Sequence, residues 1–264
     1  MKLTILGSAG NVPIPRLFCN CDICKKAKNE KEPYKRCLAS LYINEIKTVI
    51  DCPEDIAESL NRRGIKDVDN LFITHWHPDH TFGFRLLIQA FYDFIFDKPN
   101  KQINVYIPKS VYATLKNKYP AIQYFLEEKK MGKLKLIEDG EKIDFGNITI
   151  TAIGFQGKGS DNYAYLIEEN GKKALYAPCD TIDFKREIKD LDLLINEQGY
   201  FSLEITWEIP FKDLLKRLKE WKPKLTVLTH ISEDEIRRYG WKHFEEMVKG
   251  KNIKYAYDGL VLEI

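Results

Sequence analysis

Three of the chain's five histidines stand within six residues, in His75-Trp76-His77-Pro78-Asp79-His80, directly after the apolar run Leu71–Thr74. On extended backbone, side chains two apart share one face, so His75 and His77 point the same way while Trp76 turns into packing. On a helix the same pair would diverge by about 200°. Pro78 breaks the strand, which places Asp79 and His80 at the start of the next helix. Two imidazoles followed by a carboxylate and a third imidazole make two adjoining sets of metal ligands. Packing alone gives no reason for such a density of donors.

The rest of the chain reads as an α/β protein. Short β-rich runs at Lys2–Leu6, Ala39–Ile43, Lys47–Ile50, Leu71–Thr74 and Ile103–Ile107 are followed by Ile148–Ile153, Asn162–Ile167, Ala174–Ala177, Leu193–Ile195, Leu225–Thr229, Ile253–Tyr257 and Leu260–Ile264. Helical periodicity marks Pro53–Arg63, Thr81–Tyr92, Phe211–Trp221 and Glu233–Val248, the last with Ile236, Tyr239, His243, Phe244 and Met247 on one face. Mixed strands and helices without a composition break predict two sheets covered by helices in a single domain, 1–264, with a helical lid insertion at 109–133. The aromatic run from Phe82 to Phe96 is expected to be mostly core.

Charge narrows the partners. Lys+Arg 41 against Asp+Glu 39 leaves a net charge of +2, so there is no polybasic footprint and nucleic acid is not favoured. No uncharged apolar stretch approaches the roughly 18 residues of a membrane span. The opening MKLTILGSAG has too short an apolar run for an export signal. A cytoplasmic location follows as the expectation, with the six cysteines reduced. Abundant Lys and Glu beside only five Gln point to a thermophilic source.

Cys19, Cys21 and Cys24 fall within six residues of a loop rich in Pro and Asn. Three thiolates at that spacing suit a tetrahedral zinc whose fourth ligand comes from elsewhere, whereas a redox pair needs only two. Cys52 and Cys179 read as small packing residues, and His243 as a core or capping residue.

His75-x-His77-x-Asp79-His80 after an apolar strand resembles the first ligand motif of the metallo-β-lactamase superfamily. The resemblance runs the length of the chain. Tyr176-Ala177-Pro178-Cys179-Asp180-Thr181 is similar to the family's strand-end Asp, which bridges two metals, and Leu228-Thr229-His230-Ile231-Ser232 to its last-His motif. The Gly7–Gly10 loop and Ile50-Asp51-Cys52-Pro53 fit as well. The resemblance implies a four-layer αβ/βα sandwich, with one metal on His75, His77 and Asp180 and a second on Asp79, His80, Asp180 and His230.

One departure stands out: members carry a further His before a strand that here is part of Gly154–Ile167, a stretch without any. Gln156 or Asp161 is the expected oxygen substitute, and Gln156→His is expected to raise metal occupancy. The cysteine cluster resembles the branch that includes a phosphodiesterase of phosphonate breakdown and pyrroloquinoline-quinone biosynthesis protein B. There a His three residues past the last active-site His completes a structural zinc. This chain has Glu233 at that place, so Glu233 and Cys37 are the alternatives for the fourth ligand.

These readings imply a metal-dependent hydrolase, a phosphodiesterase on small or cyclic phosphates that attacks with metal-bound hydroxide. The expected cofactors are one structural Zn2+ and one or two Zn2+ or Mn2+ at the active site. Asp79 and Asp180 are expected to be catalytic through the metals. Relatives protonate the leaving oxygen with a His before the final helix; Thr206–Phe211 has none, so Glu208 takes that place. The partner is a small phosphate-ester substrate, with a homodimer compatible and no membrane. The alternatives are RNA 3′-end processing, or a ligand-binding or biosynthetic accessory protein that keeps the fold without catalysis.

Overall fold

The computed structural model describes residues 1–30, 32–202, 205 and 207–264. Along the chain, β1 (Lys2–Gly7) leads to α1 (Asp22–Glu30), and β2 (Ser40–Ile43) and β3 (Thr48–Ile50) lead to α2 (Ile56–Arg62). Then follow β4 (Asn70–Phe72), α3 (Pro78–Thr81), α4 (Phe84–Gln89), β5 (Tyr92–Asp93), β6 (Lys98–Pro99), β7 (Asn104–Pro108), α5 (Lys109–Lys118), α6 (Ala121–Gln123) and β8 (Lys133–Ile137). The second half runs β9 (Lys142–Asp144), β10 (Ile148–Gly157), β11 (Ser160–Glu169), β12 (Lys172–Ala177), β13 (Leu193–Glu197), α7 (Phe211–Trp221), β14 (Leu225–Thr229), α8 (Glu233–Tyr239), α9 (Trp241–Val248), β15 (Ile253–Tyr255) and β16 (Val261–Glu263).

Among the described residues these strands form two seven-stranded sheets, β16-β1-β2-β3-β4-β7-β8 and β15-β14-β13-β12-β11-β10-β9, beside the small β5-β6 pair. Each large sheet is antiparallel on one side and parallel on the other. The parallel neighbours are β3, β4, β7 and β8 in the first, and β12, β13, β14 and β15 in the second. The strand alternation shows how the layers stack. In β11, Tyr163, Tyr165 and Ile167 enter the core between the sheets, whereas Ala164 and Leu166 pack outward beneath Trp221 of α7. β12 and β13 divide in the same way. Burial on both faces is what central strands beneath helices require, and it makes the αβ/βα sandwich that the sequence predicts.

Several local expectations are corrected. Asp22–Glu30 is a helix rather than loop, because Cys24 and Ala27 are buried one turn apart on it. Glu233–Val248 is two helices, since Gly240 at φ +78° leaves helical geometry between them. That break leaves Ile236 and Phe244 buried but Tyr239 40% exposed, so the apolar face is not continuous. Phe94 and Phe96 are exposed at the tip joining β5 to β6, whereas Phe84 and Tyr92 are core. Residues 109–133 are helical over α5 and α6 and link the parallel neighbours β7 and β8, burying Val111, Tyr112 and Leu115. No helix of the described residues is long and apolar enough to cross a membrane.

Candidate metal centre

The two sheets meet at the C-terminal ends of their parallel strands, the edge where ligands bind in open α/β sheets. Asp51 follows β3, His75 to His80 follow β4, Asp180 follows β12 and His230 follows β14. Donor atoms of His75, His77, Cys179 and Asp180 all lie within 4.8 Å of one another, and so do those of His80, Cys179 and His230. Asp79 joins the second set: its Oδ2 is 3.5 Å from His80 Nε2 and 3.4 Å from His230 Nε2. The structure thus brings His75, His77, Asp79, His80, Asp180 and His230 together. The remaining histidine, His243, is at Ser202, with 2.8 Å between Nε2 and Oγ.

Three of these strand ends turn through left-handed backbone: Asp51 at φ 64°, Asp180 at 54° and His230 at 59°. Residues other than glycine reach that region at a cost that surrounding contacts must offset. At His230 the offset comes from the loop after β1, where Gly10 N–H donates to Ile231 O and Ile231 N–H donates to Ser8 O, each at 2.9 Å. A Cβ on Gly10 would stand 3.1 Å from His230 O and 3.2 Å from its Nδ1, a tight fit against the ring. After Asp180, Arg217 of α7 donates through Nη2 to Thr181 O at 2.6 Å and to Phe184 O at 3.1 Å, fixing the turn from outside.

Asp51 organises rings of both sets from behind. Its Oδ2 lies 2.7 Å from His80 Nδ1, and it accepts from Thr74 N–H at 2.8 Å and from the Thr74 hydroxyl. Thr74 Oγ1 in turn sits 2.9 Å from His75 Nδ1. Each ring therefore has one nitrogen held by the protein and the other turned toward the centre, the arrangement of carboxylate-oriented metal ligands. Burial, together with the His80 and His77 rings, pushes His75 well below its ordinary range, which keeps it in the neutral form that ligates. Burial would raise Asp79, but the His80 and His230 rings hold it well below the usual carboxylate range. His80 Nε2 is buried without a hydrogen-bond partner among the described residues. A neutral His75 imidazole, an ionised Asp79 carboxylate and the orphaned His80 ring nitrogen together fit a divalent metal.

Glu208 borders the same pocket. Its Oε1 lies 3.5 Å from His230 Nδ1, and its Oε2 accepts Gly199 N–H at 2.8 Å. Of the Thr206–Phe211 segment read in the sequence, Thr206 lies outside the described residues. Behind it, burial and the Glu208 charge push Glu197 up to about 8. The pocket encloses about 190 Å³ and is lined by His77, Asp79, Asp180 and His230, with Lys158 and Trp207 at its rim.

Gln156 and Asp161 oppose each other across the β10–β11 hairpin and both are exposed, and Asp161 is in neither ligand group, whereas Phe155 and Asn162, the next pair, share the opposite face. Buried Asn162 donates to Asp180 Oδ2 at 3.2 Å. Sequence reasoning missed Asn162, Thr74 and Cys179; no spacing marks them, because each reaches the site through strand register or a turn.

At the second cluster, Glu233 Oε1 stands 4.0, 3.9 and 3.7 Å from the sulfurs of Cys19, Cys21 and Cys24. All four form one ligand group. Cys37, the other sequence alternative, is instead buried beside Asp258, which accepts its backbone N–H at 2.7 Å.

Residues 47–231 match the beta-lactamase superfamily domain, and the chain belongs to that superfamily. Its curated relatives include ribonuclease Z of Picrophilus torridus, 25% identical over 205 residues, which cover 76% of this chain and 58% of the relative. Ribonuclease Z of Clostridioides difficile is 38% identical over 87 residues, covering 31% of this chain and 22% of the relative. The chain thus spans less than two thirds of either relative. Among solved structures, a diphosphatase from the PhnP family aligns with a TM-score of 0.77 at 20% identity, over 100% of this chain and 96% of that one. Zinc-bound PqqB from Methylobacterium extorquens aligns at 0.80 and 15% identity, over 100% of both chains. Human tRNase Z, short form, aligns at 0.65 and 16% identity, over 100% and 99%. These likenesses establish the fold.

Proposed function

We propose that the protein is a metal-dependent hydrolase of small phosphodiesters. The observation that carries this reading is the convergence of two ligand sets, His75/His77/Asp180 and Asp79/His80/His230, on one pocket of about 190 Å³. Divalent ions bound there, Zn2+ or Mn2+, would supply Lewis acidity and lower the pKa of a water toward neutrality. The chain's own groups then do the rest. Asp180, steadied by Asn162, would hold an ion together with His75 and His77. Glu208 lies against the His230 ring at the pocket wall, beside the place where a leaving oxygen would take up a proton. Lys158 at the rim brings positive charge to an anionic substrate, and the exposed Trp207 face offers a surface for its organic part.

The pocket is smaller than the ~300–1,000 Å³ typical of drug-sized ligands, so it receives a phosphate and little beyond it. The cysteine cluster with Glu233 belongs in this reading as a structural zinc site. RNA 3′-end processing is the second reading, favoured by the ribonuclease Z relatives.

The test is the metal-loaded protein assayed on bis(p-nitrophenyl) phosphate, 2′,3′-cyclic nucleotides and a precursor tRNA with a 3′ trailer. Higher kcat/KM on the small esters is expected. Preference for the precursor tRNA would replace this reading with the second, and no phosphodiester cleavage with any metal would overturn both.

A further inference from the structure

Cys179 occupies a position that the two ligand sets share. Its sulfur is within 4.8 Å of donor atoms in His75, His77 and Asp180, and equally of those in His80 and His230. It is 6% exposed and lines the same pocket as His77, Asp79 and His230. Consecutive residues on extended backbone point to opposite faces, so Cys179 and Asp180 would not share a site if β12 simply continued. The left-handed turn at Asp180, φ 54°, removes that alternation and delivers both side chains to the same side of the strand end. Meanwhile the residues expected to complete the His75/His77 set, Gln156 and Asp161, are exposed on their hairpin. Among the described His, Cys, Asp and Glu residues, the one further donor grouped with His75, His77 and Asp180 is the Cys179 sulfur.

We infer that Cys179 Sγ is itself a metal ligand of this centre, completing the His75/His77/Asp180 set in place of an imidazole. The inference rests on the metal-dependent reading of the site proposed above. It specifies the metal more narrowly than that reading does. A donor set of one thiolate, two imidazoles and a carboxylate suits zinc and other soft or borderline ions, whereas manganese prefers oxygen donors. It also makes the residue before Asp180, rather than one on the β10–β11 hairpin, the determinant of metal choice.

The experiment is NMR of bound cadmium in the full chain, because the cadmium shift moves downfield with each sulfur ligand. Besides the signal of the three-sulfur cluster and that of any ion on Asp79, His80 and His230 in the nitrogen-and-oxygen region, one signal is expected at the position of a single sulfur with nitrogen and oxygen ligands. In Cys179→Ser this single-sulfur signal should move to the nitrogen-and-oxygen region while the cluster signal stays, and cadmium affinity at that site should fall by about tenfold or more. Glu233→Gln should shift the cluster signal alone, which assigns it. Should Cys179→Ser fail to fold, the unsubstituted protein decides by itself. Histidine-bound cadmium giving signals only in the nitrogen-and-oxygen region there, with none at the single-sulfur position, would overturn the inference and leave the metal-dependent reading intact. A cluster signal alone, with no cadmium at the histidines, would overturn both.

Discussion

Asp51 Oδ2 stands 2.7 Å from His80 Nδ1, with both side chains fully buried. This carboxylate sits behind the candidate centre rather than in it, and it also holds Thr74, whose hydroxyl touches the His75 ring. One residue therefore fixes rings from both ligand sets.

Asp51→Ala should lower metal affinity by about 10- to 100-fold, the usual cost of losing a group that orients a ligand. It should also cost about 1–3 kcal/mol of stability, because Thr74 N–H and its hydroxyl lose a buried acceptor. Competition titration with a chromophoric chelator, alongside urea unfolding, measures both. Unchanged affinity would show that His80 is held by packing alone.

Replacing Cys19, Cys21 and Cys24 by Ser should remove one zinc per cluster and lower Tm, while leaving metal at the histidines. The cluster joins α1 to the start of α8, so its ion would tie two distant segments, and such binding energy is folding energy. Zinc content by mass spectrometry and a thermal melt on the same sample test this. Full zinc content in the triple variant would rule the cluster out.

Gln156→His should leave metal stoichiometry unchanged, the reverse of what the sequence suggests. Gln156, opposite Asp161 at the end of the β10–β11 hairpin, is exposed, and its amide donates to Ser160 O at 2.9 Å. An imidazole at that position would extend into solvent. A rise in bound metal in this variant would mean that the hairpin turns over when metal is present.

Acid sensitivity should arise in part far from the site, at Asp192. Lys224 and the Lys173 backbone N–H hold this carboxyl down at about 2, against an ordinary 3.8. The stabilisation is complete above 3.8 and is lost as pH falls through about 2, since the unfolded chain then binds the proton more readily. Asp192→Asn should flatten the acid limb of urea midpoints between those values, with little change in the slope above pH 5. An unaltered acid limb would show that the lysines leave Asp192 largely screened by solvent.

The sequence made the centre legible where donors are adjacent and the backbone is simple. His75, His77, Asp79 and His80 announce themselves by density, and Asp180 and His230 by their strand ends. Glu233 follows from its offset to His230, yet the choice between it and Cys37 needed the loop after β1 to be placed. Cys179 stayed hidden because a strand reading turns it away from Asp180, and only the positive φ at Asp180 reverses that. Asn162 and Gln156 exchanged roles for a related reason: a one-residue step along a strand changes the face. In the fold, α1 was obscured because Cys24 was counted as a ligand and not also as half of an apolar stripe. The Gly240 break was masked by periodicity that happened to continue across it.

The centre draws His75, His77, Asp79 and His80 from one sheet and Cys179, Asp180 and His230 from the other. Neither half carries a complete set, so tight metal uptake demands that the halves be docked in register. A partly folded chain with both sheets formed but apart would keep its backbone spectrum and yet lose its ion. Metal capture during refolding is therefore a clock for the last act of assembly, and metal release during unfolding marks its first failure.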